Sequence, residues 1–330
     1  MKLYKKAAAC LLTAAMAISM LTACGGGGGT PDKPDKPDKP DKPGINTPST
    51  LPTNPDEIVL PDIDGSEGGG EGTETKPTKT PIIDVNNSKL AQSINNYNGV
   101  TEFYVELQAD LYDEDGSVAF SVDGRAARKG ENVYESMTVS GKNQKPQLSE
   151  TLMLKNNSTW DEYTLLRSSK VAVKTDNTDG FHMSSLSDII VGEDELPAQM
   201  WSTKVKVGPT EYYAEVYISD GDEYTICYTT DGKPVYQFVR SLSHKRLYCA
   251  TLYKTILVGN SRGLCELPSE FKTYSLHGED ELIDAKGHVF TVEDVQINDG
   301  KLTGFKVFDE KRNDVTADFK WLKDLAEMMH

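Results

Sequence analysis

The residues most suggestive of catalysis form a Gly-x-Ser-x-Gly motif at Gly259–Gly263, with Ser261 at its centre. In enzymes with this motif the serine is a nucleophile held at a sharp strand-to-helix turn, and the helix follows directly. The apolar run 251–258 supplies a strand, but Pro268 forbids a helix of useful length after the motif. The motif therefore predicts a glycine turn between strands, and we expect no enzyme activity.

Histidine and acidic residues complete no catalytic or metal-binding pattern. Asp280 or Asp284 with His288 would follow Ser261 in a suitable chain order, but no glycine-rich oxyanion segment precedes the serine. The sequence has no Cys-x-x-Cys, no His-Glu-x-x-His and no histidine pair at helical spacing, so we expect no metal site. A phosphate loop and a dinucleotide fingerprint are also missing, so we predict no cofactor.

Three cysteines lie in the C-terminal half of the chain, at Cys227, Cys249 and Cys265. Their spacing leaves two interpretations open. Cys227 and Cys249 could form a disulfide between neighbouring strands, with one thiol left over. All three could instead be buried thiols.

The strongest chemical signal lies at the N-terminus. A cationic start, Met1–Lys6, precedes an apolar run that ends at residue 23, which is short for a membrane span but suits a signal peptide over residues 1–23. The run closes with Leu21-Thr22-Ala23-Cys24, which resembles the bacterial lipobox. The resemblance implies that Cys24 carries a thioether-linked diacylglycerol, begins the mature chain and anchors it to the membrane.

The net charge and the composition limit the kinds of partner that this chain can bind. The formal net charge is −16, and removal of residues 1–23 takes away three lysines and no acidic residue, which makes it −19. No basic stripe is present, so a nucleic-acid partner is excluded. An acidic chain also gains nothing from anionic lipid, so the acyl anchor alone must hold it on the outer face of the cell membrane. The five glycines after Cys24 favour a monoderm envelope over an outer membrane.

Residues 24–87 have the composition of a tether. They contain 11 of the 16 prolines and no aromatic residue. Four Pro-Asp-Lys triplets, ending at Pro43, favour polyproline II over 13 residues, a strut of about 40 Å. The rest is rich in glycine and acidic residues and has few apolar residues, so we predict that the whole segment is disordered.

Folding signals begin at Ser88. A short amphipathic helix ends at Asn98-Gly99, and then the apolar period changes from helical to two residues. The alternation and the Asp-Gly turns predict a mainly β (α+β) fold, a long antiparallel meander with few helices. The predicted strands are 101–112, 117–128, 131–140, 149–156, 159–166, 169–175, 203–207, 211–219, 223–229, 234–240 and 246–258. In strand 101–112 the polar positions, such as Glu102 and Tyr104, are expected to face water.

Two further segments are helical or mixed. Residues 184–201 predict one or two short helices between strands. Residues 276–330 predict a hairpin over 288–308 and a final helix. This C-terminal unit is either a small appended subdomain or a cap on the main sheet.

With these elements in place, residues 88–275 resemble the lipoprotein-carrier superfamily, which includes LolA and its mycobacterial lipoprotein relatives. The resemblance rests on the order of elements, and the shared segments are Tyr97-Asn98-Gly99, strand 101–112, residues 154–160, residues 231–235 and residues 267–271. It implies an open, strongly curved antiparallel sheet that holds helices against its concave side, with acyl chains bound between them. The lipobox, the tether and residues 276–330 depart from that pattern.

Two functions therefore compete. The first is an envelope lipoprotein that binds a lipid or another apolar ligand in a cavity between sheet and helices. The second is a surface interaction module that binds protein or glycan and whose sheet is filled by its own side chains. The candidate cavity residues are Phe103, Val105, Leu107, Leu186, Ile190, Met200 and Trp201.

Overall fold

The computed structural model describes residue 48 and residues 50–52, 54–63, 77–142, 145–178, 185–191, 196–219, 221–278, 280–298 and 301–328. The predicted signal peptide, Cys24 and the Pro-Asp-Lys triplets lie outside these residues.

The described chain contains three short helices and many strands. The helices are α1 (Lys89–Tyr97), α2 (Leu186–Val191) and α3 (Leu322–Met328), with 3₁₀ turns at Pro55–Glu57, Val85–Asn87 and Thr316–Phe319. The strands up to α2 are β1 (Ile58–Val59), β2 (Thr80–Pro81), β3 (Glu102–Tyr112), β4 (Val118–Lys129), β5 (Asn132–Gly141), β6 (Gln147–Asn156), β7 (Thr159–Leu166) and β8 (Val171–Thr178). The later strands are β9 (Met200–Val207), β10 (Thr210–Ser219), β11 (Asp222–Tyr228), β12 (Pro234–Ser241), β13 (Arg246–Val258), β14 (Lys272–His277), β15 (Glu281–Asp284), β16 (Val289–Asn298) and β17 (Lys301–Asp309).

These strands form one long open sheet. Its order is β9-β10-β11-β12-β13-β3-β4-β5-β6-β7-β8-β14-β15-β16-β17. Neighbours in this order are antiparallel except β8 and β14, which are parallel. The predicted mainly β fold with one long antiparallel sheet and few helices is confirmed.

The sheet has two distinct faces. We call the side that carries Phe103, Val105 and Leu107 the helix face, because helices α1 and α2 pack there. Tyr104 lies on the opposite face, since successive side chains of a strand alternate.

Helix α1 is held at its start by two side chains. The Ser88 hydroxyl accepts a hydrogen bond from the Ala91 amide at 3.0 Å, as a helix cap does. The buried carboxylate of Glu215, on β10, accepts from the amides of Lys89 and Leu90, both at 2.8 Å. A negative charge at this position also complements the helix dipole. The helix is thereby fixed to the helix face.

The expectation that the opposite face of strand 101–112 meets water is wrong for part of the strand. Tyr104 is only 2% exposed and packs beneath the segment that follows β13, including Leu264 and Phe271. Tyr112, at the other end of β3, lies in a second core with Leu51. An alternation of period two indicates one buried face of a strand. It cannot show whether segments elsewhere in the sequence bury the other face as well.

The predicted disorder of residues 24–87 is also wrong where the structure describes them. Ile58 pairs with Val207 and Thr80 pairs with Ser202, so two short segments add to the outer edge of β9. Leu51 and Ile58 are buried in the core of the opposite face. A few apolar residues were enough because an existing sheet edge supplies their partners.

The C-terminal unit continues the same sheet. β14 crosses the boundary predicted between residues 275 and 276, and its neighbour in the main sheet is β8. Helix α3 and the 3₁₀ turn before it cover the helix face of this end, where Tyr274, Phe290, Phe319 and Trp321 form an aromatic cluster.

Candidate functional site

The structure brings six of the seven predicted cavity residues together. Phe103, Val105 and Leu107 of β3 lie in one cluster with two residues of α2 and one of β9. None of the six is more than 6% exposed. The α2 and β9 members are Leu186, Ile190 and Met200.

Trp201 does not belong to this group. Met200 faces the helix side of β9, so the next residue points to the opposite face. Trp201 stands opposite Val216 on β10 and Pro81 on β2. The prediction placed residue 201 in a helical segment, whereas β9 already begins at Met200.

The six residues pack as a core with α1 and the neighbouring strands. Leu90, Ile94 and Tyr97 of α1 fill the space above β3. The Tyr253 hydroxyl donates to the carbonyl oxygen of Ile190 at 2.8 Å, which ties α2 to the sheet. Two surface clefts, of about 370 and about 210 Å³, are lined by none of these residues.

Of the two interpretations of the cysteines, the disulfide between Cys227 and Cys249 is wrong, and the three buried thiols are what the structure has. Cys227 lies opposite Tyr236 and belongs to the core of the opposite face. Cys249 lies opposite Leu111, on the helix face. The two thiols are on different sides of the sheet and are not joined, and Cys265 is a third buried thiol. Burial raises the pKa of Cys265 to about 11, so its reactive thiolate form is suppressed.

The Gly-x-Ser-x-Gly motif lies in the irregular segment after β13. Ser261 is 3% exposed, and its hydroxyl donates to the Glu102 carboxylate at 3.1 Å. Asp284 and His288 contact each other at 3.0 Å in the turn between β15 and β16. The serine hydroxyl is therefore bonded to a carboxylate at the start of β3.

No group of three or more histidine, cysteine or acidic side chains is arranged to hold a metal ion within the described part of the chain. Among the helices of that part, none has both the length and the apolar character needed to cross a membrane.

A half-buried strip on the helix face contains none of the site residues predicted from the sequence. It lies between the part of this face that α1 and α2 pack against and the part that α3 packs against. Its residues are partly exposed. One row crosses four strands, because Ala126 pairs with Glu135, Glu135 with Thr151, and Thr151 with Thr164. We call this surface the β4–β7 strip; it consists of Ala126, Glu135, Met137, Val139, Thr151, Met153, Glu162 and Thr164. The alternation of β5 was its only signal in the sequence.

The strip has an unusual electrostatic centre. Burial raises the pKa of Glu135, and the negative charge of Glu162 raises it further. Methionine and threonine side chains around these two carboxylates give the surface a mixed apolar and polar character.

Comparisons with known proteins do not assign the chain to a family. No family model matches it, and no curated protein does. A DUF1329 family protein from Desulfovibrio piger is similar at 12% identity and a TM-score of 0.24, over 54% of this chain and 94% of that one. The MucA/MucB complex of Pseudomonas aeruginosa is similar at 9% identity and a TM-score of 0.24, over 66% and 84%. MucB with the periplasmic part of MucA gives 10% and 0.23 over the same shares.

Proposed function

We propose that this chain is a lipid-anchored envelope protein, held on the outer face of the cell membrane through Cys24, whose folded region is a non-catalytic interaction module. The observation that carries the second half is the packing of Phe103, Val105 and Leu107 beneath α1 and α2. A sheet filled by its own side chains presents surfaces rather than an internal ligand site. The lipobox resemblance supports the first half.

A second candidate function follows from the β4–β7 strip. Its partly exposed Met137, Val139 and Met153 could hold an acyl chain or another apolar ligand, as in the carrier proteins that residues 88–275 resemble. In this version the ligand lies over β5 and β6 and not over β3.

Native mass spectrometry of the mature chain carrying Cys24→Ala separates the two candidates. We expect the protein to appear without bound lipid and a fluorescent fatty acid not to be taken up. Retained lipid would contradict the interaction module. Thr151 is a half-buried residue of the strip. If the strip binds the fatty acid, Thr151→Trp should abolish uptake of the fatty acid with little change in stability.

A matched substitution tests the filled core. Val105 is fully buried, so Val105→Trp should cost about 1–3 kcal/mol of stability, as overpacking of a dense core does. A melting temperature that stays unchanged would indicate an internal cavity beside Val105. It would then favour the predicted ligand cavity between the sheet and the helices.

The anchor has its own test. Cys24→Ala should abolish labelling by a fatty-acid probe, and the protein should no longer partition into detergent as a processed lipoprotein. A variant that still labels would overturn the assignment of Cys24.

A further inference from the structure

A surface cleft of about 370 Å³ lies where the main sheet meets the C-terminal unit. It is found at the starts of β8 and β14, which come together because these two strands pair in parallel, with Lys272 opposite Val171. The 3₁₀ turn Thr316–Phe319 and the residues just before α3 form its other wall. Three distant parts of the sequence therefore meet at this cleft.

Three lysine side chains line the cleft, one from each of these parts. Lys170 lies in the turn before β8, Lys272 begins β14, and Lys320 lies between the 3₁₀ turn and α3. The first two are held side by side, because the Lys272 amide donates to the carbonyl oxygen of Lys170 at 2.9 Å. Among the described residues, no acidic side chain forms an ion pair with any of the three. A chain with a net charge of −16 thus keeps three unpaired cations around one cleft.

The same wall contains a buried donor without an acceptor. Trp321 is 5% exposed, and its indole N–H has no hydrogen-bond partner in the described part of the chain. A buried donor in this state destabilises a fold. The nitrogen is closed to solvent, so an oxygen of a bound ligand reaches it only when the exposed lysine side chains of the cleft move toward that ligand.

The donors of the cleft favour a phosphate group over a carboxylate. A carboxylate is matched best by the flat, two-pronged guanidinium of arginine, and none of the residues that line the cleft is an arginine. Lysine ammonium groups act as point charges with three donors each, so they can surround a tetrahedral group from several sides. The Ser169 hydroxyl adds a neutral donor to the same lining.

The size and the remaining polar residues of the cleft indicate what the phosphate is attached to. About 370 Å³ falls within the range of about 300–1,000 Å³ that is typical of small-molecule sites, so there is room for more than a bare ion. Glu270 and Asp318 also line the cleft, and carboxylates accept hydrogen bonds from hydroxyl groups. The ligand that fits carries both a phosphate and hydroxyl groups.

We propose that this cleft binds a small phosphate ester that carries hydroxyl groups, with Lys170, Lys272 and Lys320 around the phosphate. A phospholipid headgroup presents the same phosphate chemistry. An anionic bilayer would repel the acidic remainder of the chain, however, so we expect a soluble ester. The cleft is separate from the proposed anchor at Cys24 and from the β4–β7 strip, and its binding does not depend on either.

Nuclear magnetic resonance of the indole groups tests the site on the full mature chain carrying Cys24→Ala. Glycerol phosphate, added at constant ionic strength, should shift the indole N–H signal of Trp321, which Trp321→Phe identifies by its loss. The Trp160 indole already donates to the carbonyl oxygen of Glu131 at 2.9 Å, so its signal should stay in place. Acetate at the same concentration should shift the Trp321 signal less. An unmoved Trp321 signal at saturating glycerol phosphate would overturn the proposal.

Lysine substitutions show whether the charge of the cleft holds the ester. Lys272→Gln should weaken the binding of glycerol phosphate about tenfold, the effect of losing one charge-assisted hydrogen bond. Lys320→Gln should act in the same way, whereas Lys311→Gln, outside the cleft, should leave the affinity unchanged. All three side chains are exposed, so these variants should fold as the parent does. Equal affinities in Lys272→Gln and Lys311→Gln would contradict the site.

Vesicles separate the two sources of the phosphate group. We expect the Cys24→Ala chain not to sediment with phosphatidylglycerol vesicles. Sedimentation that is lost in Lys272→Gln, with no response to glycerol phosphate, would assign the cleft to a lipid headgroup and overturn the choice of a soluble ester. Failure of the proposed anchor would change neither result, because the acylated cysteine is missing from the chain used here.

Discussion

The two ends of the long sheet are closed in different ways. At the β9 end, two strands of two residues each pair with the edge, and an ion group around Glu223 holds them. At the other end, the rings of Tyr274, Phe290, Phe319 and Trp321 meet in a cluster whose neighbouring centroids lie 4.9–6.2 Å apart. The β9 end combines the burial of Leu51 and Ile58 with polar contacts, whereas the other end depends on aromatic burial.

The two ends should therefore differ in which substitutions destabilise them. Aromatic side chains bury large areas each, so the C-terminal unit gains its stability from many contacts at once. At the β9 end, we call residues 54–63 and 77–87 together the clasp. The clasp buries few side chains, and its stability depends on groups that are costly to leave without a partner. We therefore expect that this docked segment, despite its tether-like composition, detaches when one of its polar contacts is removed.

The largest expected effect is at the aromatic end. Phe319 is 2% exposed, and Phe319→Ala should lower the free energy of unfolding by about 3–5 kcal/mol. Denaturant unfolding of the mature chain measures it. Phe308→Ala removes the same ring from a half-buried position and is expected to cost clearly less. Equal losses would mean that the cluster is not the main contributor at this end.

The next effect is at the clasp end. The carboxylate of Glu223, fully buried on β11, pairs with Lys79 of the clasp and with Arg240 of β12. Glu223→Gln leaves Lys79 and Arg240 beside a neutral amide, and removing one partner of a buried ion pair is strongly destabilising. We expect a loss of about 3 kcal/mol, the lower end of the usual range, because both cations keep slight exposure to water. Lys79→Met should cost much less, since Arg240 still pairs with Glu223. The reverse order would show that Lys79 and not Glu223 is the centre of the group.

A single backbone-recognising bond comes third. Thr203→Val removes the hydroxyl that donates to the carbonyl oxygen of Thr78 and should cost about 1 kcal/mol. Hydrogen exchange gives a local readout, because the Ile82 amide, which donates to the carbonyl oxygen of Met200, should exchange faster while the amides of α1 keep their protection. Faster exchange throughout α1 would instead mean that the clasp and the helix open together.

The long strands could be predicted from the sequence, whereas the segments that pack against the sheet could not. Strand 101–112 is β3 to within one residue at its start, because long alternation is a strong signal. β1 and β2 have two residues each, too short for any periodicity. The side of the sheet reached by Trp201 and by Cys227 depends on the register in which β9 and β11 pair, because a slip of one residue moves every side chain of a strand to the other face.

The site was predicted in the same uneven way. Phe103, Val105 and Leu107 do share one face, as their alternation indicated, and they pack against Leu186 and Ile190, as the family resemblance implied. Whether such a group encloses space or fills it depends on α1, which supplies Leu90 and Ile94 from a different part of the chain. Apolar alternation reports burial but does not report what the buried group touches.

The smallest effect concerns the β4–β7 strip, which neither end covers. Because burial raises the pKa of Glu135 above its ordinary 4.5, the folded chain binds this proton more tightly than the unfolded chain does. The contribution of Glu135 therefore favours the fold at low pH and turns unfavourable as the pH rises through its folded pKa.

Glu135→Gln, which stays uncharged, should make the chain more stable than the parent at pH 7. The gain should fade as the pH drops below 4.5, where the carboxyl is protonated in both states. Urea unfolding at the two pH values measures it, with Glu131→Gln, at an exposed pair with Lys155, as the control that should change little. A loss of stability at pH 7 would mean that the Glu135 carboxylate is compensated in the folded chain. The Glu135 charge would then be paired within the fold, as the Glu223 charge is at the β9 end. In that case the half-buried surface of the strip would stabilise the fold and would not be an open binding surface.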